Sequence, residues 1–281
     1  MNNFDKILNF MTYFDKFGVE FSEDLKTLIN CPSNFKGGYI VPESVSEINA
    51  YAFSHCEGLT SITFPDNLLT IGENAFESCS SLNSLNIPNS VTTIGDFAFR
   101  NCISIKSLIL GTGITAIGIC VFENCRRLCE VVFPDNVTWI DLCAFSRCTS
   151  LTSIRIHKNI KNISVRAFGS CSALESIVVE SGNVKYDSRL NCNAIIETAT
   201  NRLITGCKNT IIPKSVVCIR DYAFSNCCAN IRIPDSVTEI GPSSFFNVPK
   251  IMYDGYAEGS PWGAKNHIRR FVVSNNKKSF L

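Results

Sequence analysis

The chain has 281 residues, a formal net charge of +1, 45% hydrophobic residues, 20 phenylalanines and 15 cysteines. So balanced a charge gives no field for attracting nucleic acid or an anionic membrane surface. No window approaches 18 uninterrupted apolar residues, which excludes a helical membrane span, while the apolar content suffices for a substantial core.

The N-terminus reads "MNNFDKILNFMTYFDKFGVEF". Residues 1–18 are expected to be helical or flexible. No small-residue cleavage site follows the apolar run, so the chain as it stands reads as cytoplasmic. Residues 19–42 contain "TLINCP" and "YIVP" and are expected to form an edge coil that starts a stack.

From residue 43 to 176 a repeat takes over, and it decides the fold. Phe53, Phe76, Phe99, Phe122, Phe145 and Phe168 follow one another at steps of 23 residues. Three positions after each comes a cysteine: Cys56, Cys79, Cys102, Cys125, Cys148 and Cys171. In the stretch "SLNIP", Leu85 and Ile87 alternate with Ser84 and Asn86, as in a half-buried strand. "SVTTIG" supplies a second short extended piece with Val91 and Ile94 inward. Ala75, Phe76, Cys79 and Leu82 recur at spacings of three and four, which predicts one helical turn. The expected architecture is therefore an α/β repeat solenoid, with two short strands and one helical turn per coil. One such unit cannot close a core alone, and stacked units can.

Residues 177–210 interrupt the period. "NAIIETATNRLITG" predicts a β-hairpin from Asn193 to Ile204 around a polar turn at Ala199 to Asn201, projecting from one coil. Final coils are expected over 211–250, with Phe224 and Cys227 back in frame and Phe245 followed by Val248. Residues 251–265 read as a closing cap and 266–281 as a tail, so that 19–265 is one domain.

The frame "IPDSVTEIG…AF…C" resembles the BspA-type leucine-rich repeats, a family of superhelical solenoids. The "YDS…CNAIIET…LI.GC" insertion and the "GSPWGAK" ending are similar to versions common in gut Bacteroidetes. The resemblance covers Val19 to Lys265. Gly111 and His157 depart from it where a proline ends the strand, as do Lys161, Asn162 and Ile163 at the S-V-T start. The resemblance implies protein binding, often adhesion by a surface protein, and hence a secreted or surface location. An intracellular scaffold or regulator, probed by a protein partner, is the rival reading.

The ladder cysteines read as small buried apolar groups. A line of sulfurs, one per coil, does not converge on a metal as zinc requires. Equivalent cysteines on stacked coils have parallel side-chain vectors and pair poorly. Cys120 and Cys143 hold the same repeat position on adjacent coils, where a bond is open to them at a cost in strain. Cys129 and Cys218 are expected on the surface, which suits a reducing compartment. His55 neighbours Cys56, yet adjacent side chains diverge, so the pair lacks the hydrogen bond a nucleophile needs. No phosphate-binding, dinucleotide-binding, zinc-protease or serine-hydrolase motif occurs. Accordingly no enzyme activity, cofactor, metal or nucleic-acid partner is expected, and the chain is expected to be a monomer. Sequons at Asn136 and Asn162 matter only for a chain secreted by a eukaryote.

The candidate binding surface is the outward column of the "LxxIxI" strand: Thr63, Asn86, Ile109, Val132, Arg155 and Val178. Apolar residues in register around one arginine suit a partner patch. β-branched residues are equally good strand formers, so both readings stay open. The hairpin is the second candidate.

Overall fold

The structure, a computed structural model, describes residues 12–253, 255, 262–265 and 267–269. The described chain divides into two compact units: residues 1–151 with 159–168, and residues 152–158 with 169–281. The span 19–265 falls in both units. The expected character of residues 1–11 and of 270–281 lies outside the described residues.

In the first unit, short strands stack in parallel at the repeat spacing. Thr27–Asn30, Glu47–Ile48, Thr70–Ile71 and Thr93–Ile94 form one ladder. Ala116–Ile117, Trp139–Ile140 and Asn162–Ile163 form a second. Lys36–Ile40 pairs with Gly58–Thr63, and Ser84–Asn86 with Ser107–Ile109. Ser84 lies opposite Ser107 and Thr70 opposite Thr93, each a step of one repeat. Each coil's inward residues, such as Leu82, Leu85, Ile87 and Val91, are buried, and Ser84 and Asn86 are exposed, as alternation requires. Tyr13–Phe14 and Glu20–Phe21 close the end antiparallel to Thr27–Asn30. The described part of residues 1–18 is thus strand and turn rather than helix.

The expected helical turn is not formed. The single helical element among the described residues is the 3-10 turn Arg189–Asn191. The reason is visible in the backbone of the Ala-Phe segment. Tyr51 and His55, Asn74 and Ser78, Phe97 and Asn101, Cys120 and Asn124, and Cys143 and Arg147 all have positive φ. A left-handed residue every fourth position breaks a right-handed helix. It also turns successive peptide groups along the stacking direction. Phe53 N–H donates to Ala75 O at 2.7 Å and Phe76 N–H to Ala98 O at 2.8 Å, so these bonds join coils instead of closing turns. Spacings of three and four are shared by a helix and by this paired turn, and the period alone does not separate them.

The rings form a stack. Phe53, Phe76, Phe99, Phe122, Phe145 and Phe168 lie 4.8 to 5.7 Å apart, centroid to centroid, with interplanar angles of 6 to 18°. Gly72 lets the coils approach this closely, since a Cβ there would lie 2.5 Å from Ala50 N.

In the second unit, Ser153–Ile156 pairs in parallel with Ser176–Val179. Ala194–Glu197 and Arg202–Gly206 form the expected hairpin. It does not project. Arg202–Gly206 pairs in parallel with Cys218–Ile219, which pairs with Glu239–Ile240. Both arms are mostly buried because Ile195, Ile196, Leu203 and Ile204 have no polar face to offer water. Asp187 holds Arg189 through bonds of 2.7 and 2.6 Å, and Arg189 reaches Asn201 at 2.7 Å, which pins the insertion. Gly206 faces the Phe224 ring, where a Cβ would lie 2.1 Å from Cε1. Phe224 and Phe245 stack at 5.3 Å. Asn230–Ile233, Lys250–Tyr253 and His267–Arg269 form a last parallel sheet.

Candidate functional site

The cysteines settle first. All 15 are reduced, and only Cys129 and Cys228 are exposed. Four ladder thiols donate to the carbonyl of a phenylalanine one coil back: Cys79 to Phe53 at 3.1 Å, Cys102 to Phe76 at 3.1 Å, Cys125 to Phe99 at 3.4 Å and Cys148 to Phe122 at 3.3 Å. Burial pushes the Cys102 thiol up to about 12 and holds Cys79 and Cys125 well above the ordinary thiol range. A thiol kept protonated in the core is not a nucleophile. His55 is exposed while Cys56 is fully buried, so the two do not meet.

Cys218 is buried, against expectation. It sits in register between Arg202 and Glu239. Two long neighbours cover a short side chain on an otherwise outward column. Cys120 and Cys143 are both buried. Burial pushes Cys120 up to about 12.

The outward column falls in both units. In the first, Thr63, Asn86, Ile109 and Val132 are exposed, with Asn86 directly opposite Ile109. Ile109 is 59% and Val132 76% exposed. The column gains Ile40, which lies opposite Thr63 and is 75% exposed. In the second unit, Arg155 and Val178 are exposed and directly opposite each other. Arg155 is ion-paired: its Nε donates to Glu180 at 2.8 Å, and that bond lowers the Glu180 carboxyl.

Three features escape the sequence reading. Trp139, 44% exposed, stands between Ala116 and Asn162 on the other strand column. Asparagine side chains form a ladder beside the rings: Asn124 Nδ2 donates to Asn101 Oδ1 at 2.8 Å, and Asn101 Nδ2 reaches Ser78 at 3.4 Å. The signal was there, since His55, Ser78, Asn101, Asn124 and Arg147 keep the repeat period. Finally, Tyr13, Phe14, Phe21, Leu25 and Pro42 line an apolar recess of about 280 Å³ with Asp15 and Ser44. Asp15 is fully engaged there, accepting from Phe17 and Val19 N–H and from the Tyr39 hydroxyl.

Among the described residues no three His, Cys, Asp or Glu side chains gather as a metal would need. No helix there is long and apolar enough to cross a membrane.

Parallel coils at a fixed repeat, with one buried ring and one buried thiol per coil, define a leucine-rich-repeat solenoid. A family profile described as a BspA type leucine-rich repeat region matches residues 30–126, 92–201 and 202–253, in six copies. The chain belongs to that family. Among solved structures it is similar to a leucine-rich cell surface protein from Faecalibacterium prausnitzii A2-165. The two share 27% identity over 88% of this chain and 76% of the other, with a TM-score of 0.66. A leucine-rich repeat protein from Eubacterium ventriosum shares the fold at 18% identity, covering 92% of this chain and 78% of the other, with a TM-score of 0.57. The pneumococcal vaccine antigen PcpA shares it at 12% identity over 92% and 85%, with a TM-score of 0.51. No curated protein matches significantly.

Proposed function

We propose that this chain is a non-enzymatic protein-binding module, and that the outward column of the first unit is its contact surface. The observation that carries the reading is the exposure of Ile40, Ile109 and Val132 along one column with the short polar residues Thr63 and Asn86 among them. Large apolar groups held out by a rigid scaffold contribute to binding only when a partner covers them. Arg155 and Val178 of the second unit are a further contact, with Glu180 setting the arginine's position. Adhesion at a cell surface is the favoured role. It is supported by the family and by the cell-surface description of the Faecalibacterium protein. An intracellular scaffold is the second reading, favoured by the exposed thiols of Cys129 and Cys228.

The test uses Ile109→Asp/Val132→Asp beside wild type, with thermal unfolding to confirm that both fold. Partners captured by the wild-type chain from intact cells and from cytosol are quantified. Loss of about tenfold or more by the double variant supports the surface, since two central apolar anchors typically carry more than 1 kcal/mol each. Undiminished capture by a folded variant refutes it. Capture from intact cells alone supports adhesion, and capture from cytosol alone supports the scaffold.

A further inference from the structure

The thiol ladder has an irregular first rung. Cys79, Cys102, Cys125 and Cys148 each bond the carbonyl of a phenylalanine one coil back. Cys56 has no such phenylalanine below it. The backbone identifies what stands there. Phe53 N–H donates to Ala75 O and Phe76 N–H to Ala98 O, in each case the alanine before the next ring. Cys31 N–H donates to Ala52 O at 2.7 Å, the alanine before Phe53. Cys31 therefore occupies the ring position of the edge coil in the backbone register, while the Tyr39 ring packs against Phe53 at 5.8 Å.

Two sulfurs consequently meet. Cys56 Sγ reaches the Pro32 carbonyl at 3.5 Å, and Cys31 Sγ reaches the same oxygen at 3.8 Å. Cys56 Sγ also lies 3.8 Å from the carbonyl of Cys31 itself. Interaction between the two side chains raises the Cys31 thiol and lowers Cys56. Equivalent ladder positions present parallel side chains, which pair poorly. Cys31 and Cys56 hold non-equivalent positions, a ring site and a thiol site, whose side chains converge on one point of the core.

The geometry points to Cys31 and Cys56 as a latent disulfide site that staples the edge coil to the first regular coil. The oxidant is a small disulfide such as glutathione disulfide. One thiolate of the pair attacks a glutathione sulfur, breaking the glutathione S–S bond and expelling one glutathione thiolate. The partner thiolate then attacks the mixed disulfide and expels the second. The protein loses two protons and two electrons, and two glutathione thiols form. Cys31 is 4% exposed and Cys56 0%, so reaction follows local opening of the edge coil, whose outer side is covered by the two-residue strands Tyr13–Phe14 and Glu20–Phe21. The bond would hold in place the coil carrying Lys36–Ile40, whose last residue heads the outward column.

The full chain, purified reduced, is incubated with glutathione disulfide at urea concentrations below its unfolding midpoint. It is then alkylated, digested without reduction and mapped by mass spectrometry. The expected product is a cross-linked peptide joining Cys31 to Cys56, present in wild type and in Cys120→Ser and absent in Cys31→Ser. The oxidised wild-type chain is also expected to unfold at a higher urea midpoint than the reduced chain, and this comparison needs no variant to fold. The inference is overturned if both residues stay alkylatable, if Cys120 and Cys143 pair instead, or if the linked chain shows no gain in midpoint.

Discussion

Phe99→Ala tests the ring stack where it is best supported. Phe99 is fully buried and lies between Phe76 at 5.1 Å and Phe122 at 5.6 Å, its ring nearly parallel to both. Burial of one such side chain contributes roughly 1.5–3 kcal/mol. Each stacked neighbour adds about 0.5–1.5 kcal/mol. The neighbours cannot move in, because their coils are tied by backbone bonds such as Phe99 N–H to Val121 O at 3.0 Å. The expected loss is therefore about 3–5 kcal/mol, the range seen when a core phenylalanine leaves an uncollapsed hole. Phe99→Leu refills most of the space and should cost under about 1.5 kcal/mol. Urea unfolding followed by circular dichroism measures both, with slope as well as midpoint, because a solenoid can lose coils separately. A loss below about 1 kcal/mol for Phe99→Ala, or equal losses for the alanine and leucine variants, refutes the rigid-stack argument.

A thiol reagent should label Cys129 and Cys228 rapidly in the native chain and the remaining cysteines only in denaturant, and rapid native labelling of Cys79 or Cys102 would contradict their burial. Stability should fall in alkali. Cys102 and Cys120 are raised to about 12 and Cys227 to about 11, above the ordinary value of 9.0, so these thiols stay protonated in the folded chain while the unfolded chain ionises them. The folded state is thus unpenalised below about pH 9 and loses stability progressively as pH rises toward the folded values; an unfolding midpoint unchanged between pH 8 and pH 10.5 would contradict this. Asn124→Ala removes the 2.8 Å bond to Asn101 and a residue suited to its φ of 64°, and should cost about 1–2 kcal/mol by thermal unfolding, where no loss would show the ladder to be incidental. Gly206→Ala drives a methyl into the Phe224 ring and should cost about 1–3 kcal/mol, while an unchanged midpoint would show that the ring can yield.

The repeat was legible because burial imposes it. A ring at Phe76 needs a ring at Phe99 in register, so core positions cannot drift from the period. The turn between them was not legible, since apolar spacing reports which side chains go inward and not the sign of φ. Asparagine at Asn101 and Asn124 was the available clue, because asparagine tolerates the left-handed region better than most residues. The hairpin's existence followed from two extended arms about a polar turn. Its burial did not, although "AIIE" and "RLITG" lack the alternation that a water-facing hairpin shows.

That Thr63, Asn86 and Ile109 face water was legible because strand alternation fixes which side is outward, and Val132 is exposed likewise although its segment forms no strand. The column's meaning is less legible because core packing does not constrain it. Nothing in the stack requires isoleucine rather than threonine at Ile109, so the choice there reflects either a partner or the strand preference of β-branched residues. The same reasoning separates the two arginine-bearing and isoleucine-bearing surfaces. Arg155 has an internal reason to be where it is, since Glu180 holds it at 2.8 Å. Ile40, Ile109 and Val132 have none, and each leaves more than half of its side chain in water. That asymmetry puts the first variants to make on Ile109 and Val132 rather than on Arg155.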